Sequence, residues 1–408
     1  MENITKYTLD NGVRVLVEPL DHVGSAAIGL WCTTGSSQER SNEAGITHFI
    51  EHMLFKGTEK RTSKQIAEEI EGRGGILNAF TDKENTCYYC RVLDDDVEVG
   101  IDVLTDMILN SQLDAAELEK EKGVVLEEIK RSEDEPGDQV HDLHFRSRWD
   151  QHPLGKPILG TPESVSSFSR DDLVNYMKRR YSGSTLVLAV AGNVDPEQVR
   201  AWAEERLGSI PNASESELFD RPGSVVGKNE ISKDVEQVHF CIGSDGPAYL
   251  DEERHDFTVL DAVLGGGMSS RLFQNIREKH GMVYAIGSYT LTYSKAGALT
   301  VYGGTSPEHW PEIQSLVPKE LDDLMANGAA DGELERVRRN IAGHIVLAME
   351  GTNTRMMRIA RNEINFGRQI PVVETLEKIK AVTNDDLIRA AQKCFDPEKI
   401  STTAIGPF

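Results

Sequence analysis

One passage of this chain is written twice. VSSFSRDDLVNYMKRRYSGSTLVLAVAGN stands near the middle, and IKAVTNDDLIRAAQKCFDPEKISTTAIGP closes the sequence. Asp171, Asp172 and Leu173 answer to Asp385, Asp386 and Leu387, and Gly192 answers to Gly406, all at one offset of 214 residues. Each copy reads as a helix, capped by Ser169 or by Asn384, followed by a strand of small and β-branched residues. Repetition at a fixed offset marks a duplicated structural unit, and it restricts the folds open to the chain.

Two further echoes extend the repeat. DAAELEKEKGVVLEEIKRS pairs with ADGELERVRRNIAGHIVLAME, both long helices, and GGILNAFTDKENTCYY pairs with HGMVYAIGSYTLTYS, both strands entered through glycine. A chain of 408 residues also exceeds what one ordinary core accommodates. The expected organisation is two α+β domains of similar build, residues 1–212 and 229–408, joined by a polar linker over 213–228 that is rich in Pro, Gly and Ser.

ITHFIEHMLFKGT, residues 46–58, belongs to the first domain alone. Its counterpart near FTVLDAVLGGGMSSRLFQNIREK lacks the same polar groups, so only the first domain is expected to hold a site. On a helix His48 and His52 are i and i+4, which places both imidazoles on one face within reach of a single ion. Zinc binds imidazole well, and a catalytic zinc takes three protein ligands and keeps one open position. Glu51 adjoins one histidine and lies three residues from the other, which mirrors the H-E-x-x-H order and allows it to serve as a base without being a ligand. The alternative is a core helix with stray polar residues. Burying three such groups unsatisfied costs about 1–3 kcal/mol each, and this weighs against it.

The third ligand is sought on the helix AELEKEKGVVLEEIKRSEDE. Glu121 and Glu128 are two turns apart on one face, beside Val124 and Val125, whereas Glu127 points about 100° away toward solvent. Glu128 is the better ligand on this reading, and Glu121 could hydrogen-bond a ligand histidine from behind. A solvated acidic face remains open on spacing alone.

HFIEHMLFKGT, with Glu128 of EKGVVLEEI 76 residues beyond His52, resembles the M16 or pitrilysin-type zinc peptidases. The likeness is strongest to the short bacterial relatives of the mitochondrial processing peptidase β subunit. It runs from YTLDNGVRVLVEP through HPLGKPILGTPESV to the terminal IGPF. It implies two α/β-sandwich domains, each a mostly antiparallel sheet packed with helices, as in LuxS-type metalloenzymes and M16 peptidases. It also implies one zinc ion per chain on His48, His52 and Glu128, Glu51 as general base, and Glu121 in support. Asn78, Ala79 and Phe80 match the family's edge strand, on which an extended peptide is added through backbone hydrogen bonds. Arg277 and Tyr284 match a pair that contacts substrate near the scissile bond, and LGGGMSSRLF resembles the glycine-rich loop of processing-peptidase partners. Without the resemblance, Arg277 reads as a surface charge and Tyr284 as a half-buried strand residue.

The resemblance implies a metalloendopeptidase acting on peptides or unfolded, presequence-like segments inside a closed homodimeric chamber with shared sites. A different class of function is a non-catalytic peptide-binding partner or scaffold subunit. Rival motifs are weaker. Cys87 and Cys90 fit C-x-x-C but fall in a strand that sends them to opposite faces. His141 and His144 are i and i+3 on a helix without a companion glutamate, and His152 sits in a proline-ordered loop, so all three read as structural. The net charge of −23 disfavours nucleic acid and anionic membrane and leaves basic peptides open as substrates. No run approaches the roughly 18 apolar residues of a membrane span. Five cysteines, together with an N-terminus lacking a signal pattern, suggest the cytoplasm or a mature form whose leader is missing.

Overall fold

The computed structural model describes residues 3–212 and 219–408. Six strands form the first sheet: β1 (Thr5–Thr8), β2 (Arg14–Pro19), β3 (Ser25–Cys32), β4 (Ile76–Thr81), β5 (Thr86–Leu93) and β6 (Leu186–Gly192). Five form the second: β7 (Lys228–Ser232), β8 (Val238–Asp245), β9 (Val283–Thr292), β10 (Gly297–Thr305) and β11 (Ser401–Gly406). The orders are β1-β2-β6-β3-β5-β4 and β7-β11-β8-β10-β9. With β1 set aside, the second order repeats the first strand for strand. Each sheet contains one parallel pair, β2 with β6 and β7 with β11, and is otherwise antiparallel. The repeated passage accounts for this, because β6 and β11 are the strands that follow Ser169 and Thr383.

The second cap is Thr383 rather than Asn384. Thr383 Oγ1 accepts the Asp386 amide at 3.2 Å, as Ser169 Oγ accepts that of Asp172 at 3.3 Å. Thr383 is also the residue that the offset of 214 pairs with Ser169. Asn384 is already helical, and its side chain accepts the Ala329 amide at 2.7 Å.

The two compact units are not the contiguous blocks expected from the sequence. The first comprises residues 1–130, 156–219 and 348–369, and the second 131–155, 220–347 and 370–408. Each therefore takes one helix from the other half of the chain. Of the expected linker, 213–218 lie outside the described residues, and 219–227 form no regular element.

In the first unit, helix Thr352–Phe366 covers one face of the sheet. Met356, Ile359 and Ala360 pack on Leu16, Ala27, Trp31, Val187 and Ala189. Ion pairs pin it: Arg355 to buried Glu18 at 2.5 Å, and Lys6 to buried Glu363 at 2.7 Å. The opposite face carries the larger core, where Ile28, Leu30, Tyr88 and Val190 meet helices that include Ile46–Leu54. A sheet apolar on both faces needs a helical layer on each.

In the second unit, helix Pro136–Trp149 takes the corresponding place against β8 and β11. Val140 packs with Cys241 and Ile405, and fully buried Arg148 bonds Ser401 Oγ and Asp245 Oδ1, each at 2.8 Å. His141 Nδ1 lies 2.7 Å from the Tyr289 hydroxyl, and His144 Nδ1 lies 3.3 Å from Thr403 Oγ1. These histidines pack and hydrogen-bond. His152 is likewise structural, its Nε2 lying 2.9 Å from the Asp220 carbonyl. Cys87 and Cys90 are both buried, on opposite faces of β5. No helix among the described residues is long and apolar enough to cross a membrane.

Candidate metal centre

Helix Ile46–Leu54 forms because its apolar residues recur at helical spacing. Ile46, Phe49, Ile50, Met53 and Leu54 are all buried. Its N-cap, Gly45, has φ +87° and offers no capping side chain. A Cβ there would also strike the Leu159 carbonyl, so glycine is required. The cap comes from Glu39, whose carboxylate accepts the Gly45 amide at 2.8 Å and the Thr47 amide at 2.9 Å. Burial pushes Glu39 up to about 8, against the pull of those amides. The Tyr176 hydroxyl, 2.7 Å from Thr47 Oγ1, fixes the same turn.

One helical turn separates His48 from His52, and their ring centroids are 4.6 Å apart. Helix Ala115–Asp134 faces them. Its buried residues are Leu118, Glu121, Val125 and Ile129, with Glu128 half-exposed at the side that meets the histidines, and the stripe is narrower than the sequence suggested, because Val124 is 51% exposed. Glu127 faces solvent beside Lys130, as expected. Glu128 Oε2 lies 3.8 Å from His48 Nε2 and 3.7 Å from His52 Nε2. These three residues each direct one donor atom into a space where all lie within 4.8 Å of one another, the one such group among the described residues.

Glu121 is 4% exposed and bonds His52 Nδ1 at 2.7 Å. With the Nδ1 proton held there, the Nε2 lone pair is left to face Glu128. Burial lowers the His48 pKa to about 4, and neighbouring His52 adds to this. Burial also pulls on His52, but the bond and charge of Glu121, with Glu128 and Glu51, raise it overall. Burial would raise Glu121 too, yet the bonds from His52 and Lys56 hold it below the usual carboxylate range.

The fit to a metal rests on one atom. Glu128 Oε2 is buried and has no hydrogen-bond partner, although it points at two imidazole nitrogens. Buried carboxylate oxygens are almost always bonded, and a divalent cation among these atoms meets that requirement.

Glu51 lies on the same helix beside His52. Burial raises its pKa, opposed by a hydrogen bond from Thr81 Oγ1 to its Oε2 at 2.6 Å. Thr81 ends the edge strand β4, which carries Asn78, Ala79 and Phe80. Asn78 Oδ1 accepts the Ala79 amide at 2.8 Å, Ala79 packs toward the core, and Phe80 meets the Trp31 ring edge-on at 5.4 Å.

In the second unit, Tyr284 on edge strand β9 is 81% exposed, and the Arg277 guanidinium lies 5.4 Å from the centre of its ring. Arg277 also lies 4.6 Å from the Phe273 ring. The sequence reading missed Lys56 and Thr81. Lys56 continues the His48–His52 stripe by one more turn, and Thr81 shares a strand face with Ala79, so helix and strand periods carried a signal for each.

Residues 14–162 match the family model Insulinase (Peptidase family M16), and residues 167–341 match Peptidase M16 inactive domain. The chain belongs to peptidase family M16. Among its M16 relatives, an "uncharacterized zinc protease" of Bacillus subtilis is 40% identical over 99% of this chain and 98% of its own. One of Streptomyces coelicolor is 39% identical over 99% of this chain and 90% of its own. A protease from Helicobacter pylori superposes with a TM-score of 0.93 at 19% identity, covering 99% of this chain and 100% of that one. An M16 inactive domain from Pseudomonas fluorescens superposes at 0.92 with 19% identity, covering 100% of this chain and 98% of that one. The M16 fold is thus shared throughout. The half matching the inactive-domain model has no second metal-capable group among its described residues.

Proposed function

We propose that this chain is a zinc-dependent metalloendopeptidase that cuts peptides or unfolded, presequence-like segments. The buried, unpartnered Oε2 of Glu128, aimed at His48 and His52 beside Glu51, carries the reading. His48, His52 and Glu128 would hold one zinc ion, which supplies Lewis acidity toward the scissile carbonyl and the attacking water. With its Oε2 engaged by Thr81, Glu51 has Oε1 free to take a proton from that water and pass it to the leaving amine. Free backbone groups on the outer edge of β4 would accept the substrate as an added strand, which selects for flexible chains. The intact ligand set and base favour this over a non-catalytic subunit. Metal analysis together with cleavage of a quenched peptide tests it: about one zinc per chain and chelator-sensitive turnover are expected. Metal-free protein from a zinc-replete preparation, or zinc-loaded protein inert toward all peptides, would refute it.

The working form would be a homodimer. In the family's long members, as the resemblance implies, zinc and the Arg/Tyr pair come from opposite halves of one chamber. Here two copies would supply them, His48, His52 and Glu128 from one chain and Arg277 and Tyr284 from the other. Mixing inactive Glu51→Gln with inactive Arg277→Ala/Tyr284→Phe under subunit exchange should restore activity. Heterodimers as dead as their parents would exclude shared sites.

A further inference from the structure

Lys56 lies just beyond the helix that bears His48 and His52. Its amide bonds the Met53 carbonyl at 3.1 Å, so the turn that ends the helix fixes where its side chain starts. From there Lys56 Nζ reaches Glu121 Oε2 at 2.6 Å. The other oxygen of the same carboxylate, Oε1, bonds His52 Nδ1 at 2.7 Å. Three side chains thus form a line, Lys56 to Glu121 to His52, and the far nitrogen of His52 faces Glu128.

Glu121 is nearly enclosed, with 5% of its side chain exposed. An imidazole is a weak partner for an enclosed carboxylate, and breaking a buried ion pair leaves an uncompensated charge that repacking must relieve. Without a cation on Oε2, the enclosed carboxylate keeps a charge that His52 alone does not balance, and any repacking that relieves it acts on the bond to His52. The ammonium also fills a lone-pair direction that His52 cannot reach.

We infer that Lys56 is a positioning residue for the metal centre, acting through Glu121 to hold the His52 ring at the angle and in the tautomer that a metal requires. This rests on the zinc reading above. It assigns Lys56 neither to the ligands nor to the reacting groups, and it predicts an effect on metal affinity in the absence of substrate. A competing role is electrostatic, since a cation at a helix C-terminus is favourable with or without Glu121.

The test is a double-mutant cycle read as zinc affinity. Metal-free wild type, Lys56→Met, Glu121→Gln and the double variant are titrated with zinc against a chromophoric chelator. Circular dichroism of each metal-free protein reports the fold. Outer-shell supports of metal-ligating histidines typically contribute about 10–100-fold in affinity. Lys56→Met should lose roughly tenfold or more, Glu121→Gln at least as much, and the double variant no more than Glu121→Gln alone. Unchanged affinity in Lys56→Met overturns the inference, as does the same further loss in the Glu121→Gln background, which would mark the helix-end effect. If Lys56→Met does not fold, Lys56→Gln, which keeps a donor without the charge, makes the same comparison. A wild-type chain that binds no zinc removes the metal reading itself. A wild type that binds zinc beside an unaffected Lys56 variant removes this inference alone.

Discussion

The Thr81 hydroxyl donates to Glu51 Oε2 at 2.6 Å, joining the edge strand to the helix that bears the proposed base. Hydrogen bonds to charged groups contribute about 1.5–3 kcal/mol, and this one selects which carboxylate oxygen remains free. Thr81→Val should lower kcat by about tenfold or more with zinc content unchanged, and Thr81→Ser should retain most of the activity. Steady-state kinetics beside metal analysis decides it, and an unaltered kcat in Thr81→Val would remove Thr81 from the site.

Glu51→Gln keeps the three ligands and removes the proposed base. Zinc should remain at the wild-type level while turnover falls to background. Cleavage at the wild-type rate by Glu51→Gln would assign the base elsewhere.

Gly29 of β3 lies beneath helix Thr352–Phe366, where an added Cβ would run into Met356 Sδ and Trp31 Nε1. Overpacking of this kind costs about 1–3 kcal/mol. Gly29→Ala should lower the Tm, and Met356→Ala in the same chain should cost less than it does in wild type because it makes room. Strict additivity of the two Tm shifts would show that the helix does not press on Gly29.

His144 is fully buried, and burial, reinforced by Arg148, lowers its pKa from 6.5 to about 3. The unfolded chain takes up this proton near pH 6.5 and the folded chain does not. The stability is therefore complete above pH 6.5 and is lost as the pH falls toward 3, at about 1.4 kcal/mol per pH unit between the two values. Denaturant unfolding from pH 7 to 5 should show this slope shrink in His144→Gln, whatever the variant costs at pH 7. An identical slope in both proteins would show that His144 is not held neutral.

A net charge of −23 should draw flexible basic peptides by long-range attraction. Added salt should then raise KM for basic peptides and leave it nearly constant for neutral ones. Equal KM values for basic, neutral and acidic peptides at low salt would show that charge plays no part.

Local spacing made part of the centre legible before the fold was seen. His48 and His52 had to share a helix face, and Glu121 and Glu128 had to share another, because a helical turn sets those relations within each segment. The offset of 214 residues pairs Ser169 with Thr383, the cap that the structure shows, whereas residue type alone had pointed one residue further, to Asn384. The inward stripe was drawn too wide at Val124, because periodicity shows which residues share a face and not how far the neighbouring layer extends over them.

By itself, the sequence determined the duplication, the helices and strands that echo between its copies, and the two ligand-bearing faces. The elements and faces follow from backbone periods and capping chemistry acting over a few residues, and the duplication from residues repeated at one offset. Only the tertiary structure decided that helix Thr352–Phe366 covers the first sheet and Pro136–Trp149 the second, because an apolar stripe specifies that a helix must be covered and not what covers it. The bonds from Lys56 to Glu121 and from Thr81 to Glu51 were likewise settled there. Each joins residues on different elements, and its length depends on how those elements pack, a relation that no local spacing encodes.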